Sequence, residues 1–574
     1  MRKPLLLLLG AAVLVAAVLA TRARRATPTA FHPVTAAELL TADSSGGWLL
    51  HGRTYDNQRF APFTGIDRRT VAGLVPLWRY DPQPLIPTKA RNESTPVVVD
   101  GMLIYTEPGR LSPGNYVIAL DARTGRKIWS WGRRLGPAAL CCGLPNRGVA
   151  VLGDRVYVGT LDAHLVALDR RTGKVLWDRQ VEDPTRGYSL TMAPLAAGGK
   201  IVVGVSGGEF AIRGFVDAYD PVSGARVWRF WTIPSPEDGG WWGRLAMTTP
   251  EGNPLPRDTA RERRDSARHA DVWRRGGGPV WSTPAYDGAR GLLIFGTGNP
   301  SGLPEGGAPP GDNLYTTSLV AVDAATGRLR WFYQMVPHNI WDYDAASPPV
   351  LFDLRRDDSL IPAVAHAGKT GWVYILDRRT GALVRRSEPF VPLENIFPGP
   401  TLRGIRTSPG DRGGSNWPPA AYSPATGALY VLGSYIPMTF VVDSASAARA
   451  RAAAAATGRP LETPAGAVFE DIPNDGRYGT FTAIDVATGK VRWQRKAPRH
   501  LALGGALATA GGLVFFGQTD GLLLALDAET GAVLWQHQVG DLPLGPPISF
   551  MDRGRQRIAV ASGRGVAVFG LPGR

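Results

Sequence analysis

Cysteine is scarce in this chain: its 574 residues include only two, Cys141 and Cys142, and the two are adjacent. A disulfide between adjacent cysteines cannot link distant parts of a fold. No CxxC or CxxCH motif exists that would support a zinc site or an attached haem. The residues leave open two buried thiols, a metal site completed by ligands from elsewhere, or a disulfide between neighbours. The disulfide would form a flat apolar wall, and the cation Arg147 close behind it would suit a planar anionic ligand.

The sequence also lacks a basic stripe interleaved with aromatic residues. The net charge is +15, but the arginines are scattered, with local clusters at 22–25, 257–275 and 449–451. We therefore do not expect nucleic acid as a partner. The 70 glycines and 48 prolines instead indicate a globular chain that is rich in turns.

A long apolar run stands at 4–20, directly behind Arg2 and Lys3. It predicts a secretory signal or an uncleaved signal anchor over 1–25, followed by a linker at 26–47. The length of the run is at the low end of the ~17–25 residues that cross a bilayer. The basic residues behind it leave the interpretation as an uncleaved anchor open. No cysteine follows, so a lipoprotein is excluded. We expect export to the periplasm, with or without a tether to the inner membrane, and that compartment permits the Cys141–Cys142 bond.

A phrase of about eleven residues repeats along the chain and predicts β-hairpins. Each copy has an apolar strand ending in Asp, a Thr-Gly or Ser-Gly turn, and a second strand that reaches Trp. The spacing fits four-stranded propeller blades, in which each Trp packs between neighbouring blades. The full copies are ALDARTGRKIW (119–129), ALDRRTGKVLW (167–177), AYDPVSGARVW (218–228), AVDAATGRLRW (321–331), AIDVATGKVRW (483–493) and ALDAETGAVLW (525–535). Weaker copies occupy 375–384 and 421–430. We expect 251–278 to be a surface loop, and 444–457 favours helix by composition.

The repeats, together with the motif CCGLPNRG at 141–148, resemble those of the pyrroloquinoline quinone (PQQ)-dependent alcohol dehydrogenases, from about Trp48 to the C-terminus. The resemblance implies an all-β, eight-bladed propeller over 48–574, with PQQ and one metal ion on its axis. It also implies a set of residues that bind PQQ. These are Glu93 in ESTP, Arg147 in CCGLPNRG, Thr191 in TMAPL, Trp281 in GGGPVWSTPAYD, Lys369 in HAGKTGWVYILD, and Asn416 with Trp417 in GGSNWPP. The matching cysteines, Cys141 and Cys142, form a disulfide over one face of PQQ, and Trp281 lies under the other.

The resemblance further implies a metal site and a catalytic base. The metal ligands would be Glu209 in SGGEF, Asn299 in GTGNP, and Asp342 with Asp344 in WDYD, and oxygen ligands of this kind suit calcium or a lanthanide. Asp342 matches the base that takes the proton of the substrate hydroxyl, and Lys369 stands where a cation supports the quinone oxygen. An extended WDYD segment would put Asp342 and Asp344 on the same side.

The resemblance therefore predicts oxidation of an alcohol to a carbonyl, with electrons passed to an external cytochrome c or quinone, because the chain has no haem motif. Two positions depart from the family pattern: Pro279, where a small polar residue is usual, and Leu503, where a Trp is frequent. Two other interpretations stay open, a quinoprotein sugar dehydrogenase and a non-enzymatic propeller that serves as an envelope scaffold.

Overall fold

The structure, a computed structural model, describes residues 31–82, 92–108, 114–140, 142–238, 244–302, 308–356, 358–442, 468–473, 476–498, 504–540, 545–563 and 565–572, with single residues between 443 and 467. The predicted signal or anchor segment, Cys141 and Leu503 lie outside the described residues. No helix in the described ranges is both long and apolar enough to cross a membrane.

The described chain is built almost entirely from strands, in agreement with the predicted fold class. The α-helices with described bounds are both short, α1 (Ala36–Leu40) and α2 (Thr259–Asp265), and the single described residues between 445 and 456 are helical as well. The strands of the first half are β1 (Phe60–Ala61), β2 (Val75–Tyr80), β3 (Val97–Val99), β4 (Met102–Pro108), β5 (Gly114–Asp121), β6 (Lys127–Arg134), β7 (Ala150–Leu152), β8 (Arg155–Gly159), β9 (His164–Asp169), β10 (Val175–Gln180), β11 (Leu195–Ala197), β12 (Lys200–Gly204), β13 (Phe215–Tyr219), β14 (Arg226–Trp231), β15 (Ala285–Asp287), β16 (Leu292–Gly296), β17 (Ser318–Asp323) and β18 (Leu329–Gln334). The strands of the second half are β19 (Val350–Arg356), β20 (Ser359–Ala367), β21 (Val373–Asp377), β22 (Leu383–Arg386), β23 (Ile405–Thr407), β24 (Ala421–Ser423), β25 (Ala428–Tyr435), β26 (Met438–Val441), β27 (Val468–Asp471), β28 (Tyr478–Asp485), β29 (Val491–Pro498), β30 (Ala506–Thr509), β31 (Leu513–Gly517), β32 (Leu522–Asp527), β33 (Val533–Gln538), β34 (Ile548–Asp552), β35 (Arg555–Ser562) and β36 (Gly565–Gly570).

These strands pair into sheets that follow the chain in order, and the pairing is antiparallel except for β1, which pairs parallel with β30. The sheets with four or more strands are β3–β6, β7–β10, β11–β14, β15–β18, β19–β22, β24-β25-β28-β29, β30–β33 with β1 at its edge, and β34–β36 with β2. The last of them joins the two ends of the described chain, because β2 pairs antiparallel with β36. A separate three-stranded sheet, β23-β26-β27, is added beside the sixth.

The repeated phrase forms the hairpins that the sequence predicts. Asp121 ends β5, and its Oδ1 accepts hydrogen bonds from the backbone N–H of Arg123 and Thr124 at 3.1 and 2.9 Å. Gly125 then has φ of 71°, the left-handed conformation that glycine adopts readily. The same Asp-to-backbone bonds recur at Asp169, Asp220, Asp323 and Asp527.

Each repeated Trp packs on the turn of the next sheet, as predicted. The indole N–H of Trp129 donates to the carbonyl of Arg170 at 2.9 Å, and its ring covers Gly173 so closely that an added Cβ there would lie 2.6 Å from it. The same indole-to-carbonyl bond joins Trp78 to Ala122, Trp177 to Pro221, Trp228 to Ala324, Trp331 to Arg378, Trp493 to Ala528 and Trp535 to Leu74. Between the fifth and sixth sheets, Arg385 takes the place of Trp and donates to Thr488 O at 3.0 Å. The contacts return to the first sheet, which is the closure of a propeller. The number of eight blades stays a prediction of the sequence, with which this ring agrees.

Two segments outside the repeats also have structure. Residues 31–47, inside the predicted linker, pack on the propeller through Val34, which bridges Gly153, and through buried Leu39 in α1. The predicted surface loop at 251–278 contains α2, where the Asp258 side chain accepts the backbone N–H of Arg261. Most of 444–457 lies outside the described residues. The boundaries predicted for the domains stay a prediction.

Candidate functional site

A cavity of about 380 Å³ brings together most of the residues that the sequence singles out. Of the predicted residues, those lining it are Glu93, Cys142, Arg147, Thr191, Glu209, Trp281, Asp342, Asp344, Lys369, Asn416 and Trp417. Asn299 is not among the lining residues, although it lies beside them. Cys142 is not a free thiol, but Cys141 lies outside the described residues, so the bond between these two neighbours stays a prediction.

The propeller topology explains why residues so distant in sequence meet. Arg147, Thr191, Trp281 and Asp342 each lie shortly before the first strand of a sheet, namely β7, β11, β15 and β19. Glu209, Asn299 and Lys369 lie between the second and third strands of their sheets. Because neighbouring strands are antiparallel, the start of a first strand and the end of a second strand lie at the same edge. All these loops therefore open on one face of the ring.

Arg147 is buried at one side of the cavity and is held by several partners. Its guanidinium pairs with a carboxylate oxygen of Glu93 at 2.7 Å and donates to the Thr191 hydroxyl at 2.9 Å. It also donates to the carbonyl of Trp281 at 3.0 Å and lies over the Trp281 and Trp417 rings, at 4.8 and 5.8 Å from their centres. Burial lowers the pKa of Arg147, and the charge of Glu93 opposes that shift. The arrangement fixes a cation between two indoles.

Lys369 joins Asp342 and Asp344 on the other side of the cavity. Its ammonium donates to a carboxylate oxygen of Asp342 at 2.9 Å and of Asp344 at 2.8 Å. Burial by itself lowers the pKa of Lys369, but the two carboxylates outweigh burial and raise the pKa above its ordinary value. Burial raises the pKa of Asp342 well above its usual range, Lys369 opposes that shift, and the charges of Asp344 and Asp411 add to it. The Asp342 side chain is nevertheless 41% exposed, because it opens on the cavity.

The WDYD segment is a turn and not the extended strand that the same-side argument assumed. Asp342 has φ of 61°, and its carbonyl accepts the N–H of Asp344 at 3.0 Å. A left-handed non-glycine residue costs roughly 1–3 kcal/mol and is typical of functional sites. Asp342 and Asp344 still share a side, as predicted, because both contact Lys369.

The predicted metal ligands are only partly assembled. Glu209 follows Gly207 and Gly208 on a 3₁₀ turn and is exposed to the cavity; the protein that surrounds it still reduces its solvation and raises its pKa, with a further rise from the charge of Asp344. Asn299 donates its backbone N–H to Asp344 Oδ1 at 2.8 Å. Among the described residues, no three His, Cys, Asp or Glu side chains are grouped closely enough to hold a metal ion. The donor chemistry, carboxylate with amide oxygen, still fits a hard cation such as calcium or a lanthanide.

The chemical groups that line the cavity are also of the kinds that would bind PQQ. Arg147 and Lys369 offer cations, Thr191 and Ser206 offer hydroxyls bonded to each other at 2.6 Å, and two indoles offer aromatic faces. Arg147 Nε and Asn416 Oδ1 are buried without a hydrogen-bond partner in the described part of the chain, which suits a site for a polar ligand. A flat ring with quinone and carboxylate oxygens matches this set.

The sequence did not single out several residues that line the same cavity. They are Ser206, Asp411, Arg412, Ser434, Ile436 and Arg477. Burial raises the pKa of Asp411. Arg412 ion-pairs with Asp471, at the end of β27 in the added three-stranded sheet, and Arg477 lies 3.8 Å from the same carboxylate. Asp411 and Arg412 lie just before the GGSNWPP motif. Their position next to that motif is the sequence feature that could have identified them as cavity residues. Pro279 also lines the cavity and brings no side-chain donor there.

Comparison with known proteins supports this interpretation. The family model for the β-propeller domain of glucose, ethanol and alcohol dehydrogenases (PQQ) matches residues 48–392 and 384–558. The quinohemoprotein alcohol dehydrogenase ADH IIB of Pseudomonas putida is 34% identical over 92% of this chain and 74% of its own. The quinoprotein ethanol dehydrogenase of Pseudomonas aeruginosa is 33% identical over 92% of this chain and 87% of its own.

Solved structures agree. A europium-containing methanol dehydrogenase superposes with a TM-score of 0.77 at 28% identity, over 93% of this chain and 100% of its own. The family model matches most of the chain, and relatives are identical at a third of the positions over nine tenths of it. Together these matches show the family of the chain. The chain therefore belongs to the PQQ-dependent, or quinoprotein, alcohol dehydrogenase family of β-propeller oxidoreductases.

Proposed function

We propose that the protein oxidises a small alcohol to a carbonyl in the periplasm and passes the electrons to an external cytochrome c or quinone. The observation that carries the proposal is that Asp342, Lys369, Arg147 and Trp281 line one and the same cavity. The alcohol class is supported by relatives that are named alcohol and ethanol dehydrogenases. The location is supported by the signal-like segment at 1–25, and the external acceptor by the lack of a CxxCH motif.

PQQ, when bound, would supply the acceptor for a hydride equivalent from the alcohol carbon, and a calcium or lanthanide ion would make its quinone a better acceptor. Glu209, Asn299, Asp342 and Asp344 would hold the ion. Arg147, Glu93, Thr191, Asn416 and Trp417 would hold the cofactor, with Trp281 and the Cys141–Cys142 pair against its two faces.

Asp342 takes the proton from the substrate hydroxyl in this scheme. Its carboxylate opens on the cavity, and its raised pKa increases its affinity for a proton. Lys369 keeps that carboxylate oriented and ionised before the reaction through the bond at 2.9 Å. Trp281, Trp417 and Ile436 give the cavity apolar wall surface beside these charged groups. The hydroxyl proton thus moves to a carboxylate oxygen of Asp342 while the carbon becomes a carbonyl.

The test is to reconstitute the protein with PQQ and calcium, or PQQ and lanthanum, and to assay primary alcohols against aldose sugars with an artificial dye. We expect tight PQQ binding and dye reduction that is faster with alcohols. Faster oxidation of sugars would move the protein to the sugar branch. Absence of PQQ binding would instead support the scaffold interpretation.

The disulfide is tested separately. Intact-mass analysis of the exported protein should show two hydrogens fewer than the reduced chain, because Cys141 and Cys142 are the only cysteines in the sequence and can bond only to each other within the chain. Alkylation of both cysteines under denaturing, non-reducing conditions would exclude the bond.

A further inference from the structure

The segment at 251–278, between β14 and β15, is tied to the loops of the site. The side chain of Arg257 is fully buried within it and pairs with Glu262 at 2.6 Å and with Asp312 at 2.5 Å. The carbonyl of Asp312 accepts the N–H of His338, which lies just before the WDYD segment. Buried and paired charges of this kind hold an element in one place. The segment is therefore an ordered part of the face on which the cavity opens.

The C-terminal end of this segment touches the two loops that carry predicted metal ligands. Gly278 donates its N–H to the carbonyl of Asn299 at 2.9 Å, and Gly277 donates to Ile212 at 2.8 Å, near Glu209. The Trp273 ring lies 4.4 Å from the guanidinium of Arg213. The next residues, Pro279 and Trp281, line the cavity. A molecule docked on this segment would lie beside the site.

The outer side of the segment carries an unbalanced positive charge. Its five acids are already engaged: Glu251 with Tyr333 and Arg386, Glu262 with Arg257, Asp265 with Arg261, Asp271 with Arg275, and Asp258 as the cap of α2. Four further arginines are exposed, and no acidic side chain of the described residues lies within ion-pair distance of them. These four, named here the arginine patch, are Arg263, Arg264, Arg268 and Arg274.

We propose that the arginine patch is the docking surface for the protein that accepts the electrons, a small redox protein with an acidic face. The inference rests on the proposed function, which requires an external acceptor because the chain has no haem motif. Four cations that have no acidic partner in the described part of the chain, on an ordered support, attract an acidic partner and guide its approach. Their place beside the loops of Glu209 and Asn299 brings that partner to the mouth of the cavity. The surface thus selects an acidic cytochrome over a basic one.

The test compares two variants that lower the net charge by the same amount, one at each end of the molecule. The patch variant is R263E/R264E/R268E/R274E. The control variant reverses four exposed basic residues on the hairpin turns: R126E/K174E/R226E/R328E. These turns lie at the far end of the strands: β13, for example, runs from the loop with Glu209 to the turn at Gly224. Both variants lower the net charge equally, so non-specific effects of charge cancel.

Each enzyme, loaded with PQQ and metal, is assayed with a purified acidic c-type cytochrome, a basic cytochrome c and phenazine methosulfate. We expect the patch variant to reduce the acidic cytochrome about tenfold more slowly or worse at low ionic strength. Its rate with the dye should stay unchanged, and the control variant should stay close to the wild type with both acceptors. Added salt should slow the wild type with the acidic cytochrome, because it screens attraction between exposed charges.

Binding of the same acidic cytochrome is also measured by calorimetry. This measurement tests the docking surface without requiring that the enzyme turn over. If no enzyme reduces the dye, the proposed function fails, and the binding data still judge the surface. Equal losses in both variants, or wild-type binding by the patch variant, would overturn the docking surface. Binding of the wild type but not of the patch variant to phosphatidylglycerol vesicles, with unchanged cytochrome rates, would assign the surface to lipid and overturn it too.

Discussion

Lys369 is the residue on which the charge balance of the site depends. It is almost fully buried, and its ammonium contacts two carboxylates, Asp342 and Asp344. Two acids this close would repel each other strongly in a buried setting. One ammonium between them offsets that repulsion and orients both side chains. Asp344 is fixed further, because its other oxygen accepts the N–H of Asn299.

Asp342→Asn tests the base at the scale of one residue. The amide keeps the shape and a hydrogen bond to Lys369 but cannot take a proton, so we expect turnover to fall by ~10²–10⁴-fold. PQQ binding, followed by quenching of protein fluorescence, should be largely kept. Wild-type turnover in this variant, with PQQ and metal loaded, would remove Asp342 from the role.

Asp344→Ala tests the choice of metal ion. A trivalent ion gains more from an added carboxylate than calcium does, so the substitution should cut lanthanide-supported activity far more than calcium-supported activity. Terbium luminescence measures ion binding without turnover, and Asp344→Asn serves as the control because it keeps an oxygen in place. Equal loss with both ions would make Asp344 a positioning residue for Lys369.

At the scale of elements, the hairpin and the Trp that covers it form one unit. Gly327 illustrates the fit: its φ is 72°, and an added Cβ would lie 2.6 Å from the Trp228 ring. The indole N–H also bonds Ala324, on the same turn. Glycine is therefore required twice at this position, once by the backbone and once by the neighbouring sheet.

Gly327→Ala and Gly554→Ala separate these two requirements. Gly554 has a similar φ of 75°, but nothing lies within 4 Å of an added Cβ. Gly554→Ala should cost only the left-handed backbone, about 1–2 kcal/mol. Gly327→Ala should cost that plus about 1–3 kcal/mol for the overlap with Trp228. Chemical denaturation measures both, and equal losses would show that the Trp contact does not constrain the turn.

For the whole molecule, the cavity is the place where most sheets meet. Arg147, Thr191, Trp281, Asp342 and Asn416 each precede a different sheet, and all line the cavity. A ligand that contacts them links elements that otherwise touch only their neighbours. The native ring and the ligand site are therefore coupled.

Loading with PQQ and metal should therefore raise the thermal midpoint of the whole chain. A ligand at a hundred times its Kd adds about 2.7 kcal/mol to the free energy of unfolding. Differential scanning calorimetry of apo and loaded protein measures the shift, and Arg147→Ala is the control that should abolish most of it. A loaded protein that melts at the apo temperature would contradict this coupling.

The sequence by itself determined the features that depend on local chemistry. The Asp-Thr-Gly turns and the Trp spacing predicted hairpins and a propeller, because turn conformation and strand alternation are set by adjacent residues. Most of the residues predicted from the family motifs also line the cavity. The conformation around Asp342 was left open by the sequence, which placed Asp342 and Asp344 on one side only on the condition of an extended segment; the structure has a turn there, and both side chains still contact Lys369.

Only the tertiary structure decided which groups meet. The bond from Asp344 to the N–H of Asn299, the bridge of Lys369 between two acids, and the entry of Arg412 into the cavity all join residues on different loops. The arginine patch likewise appears only once the acids around it are seen to be engaged. Contacts between residues on different loops depend on how the ring of sheets closes. Closure involves all the sheets together, so no local stretch of sequence determines it.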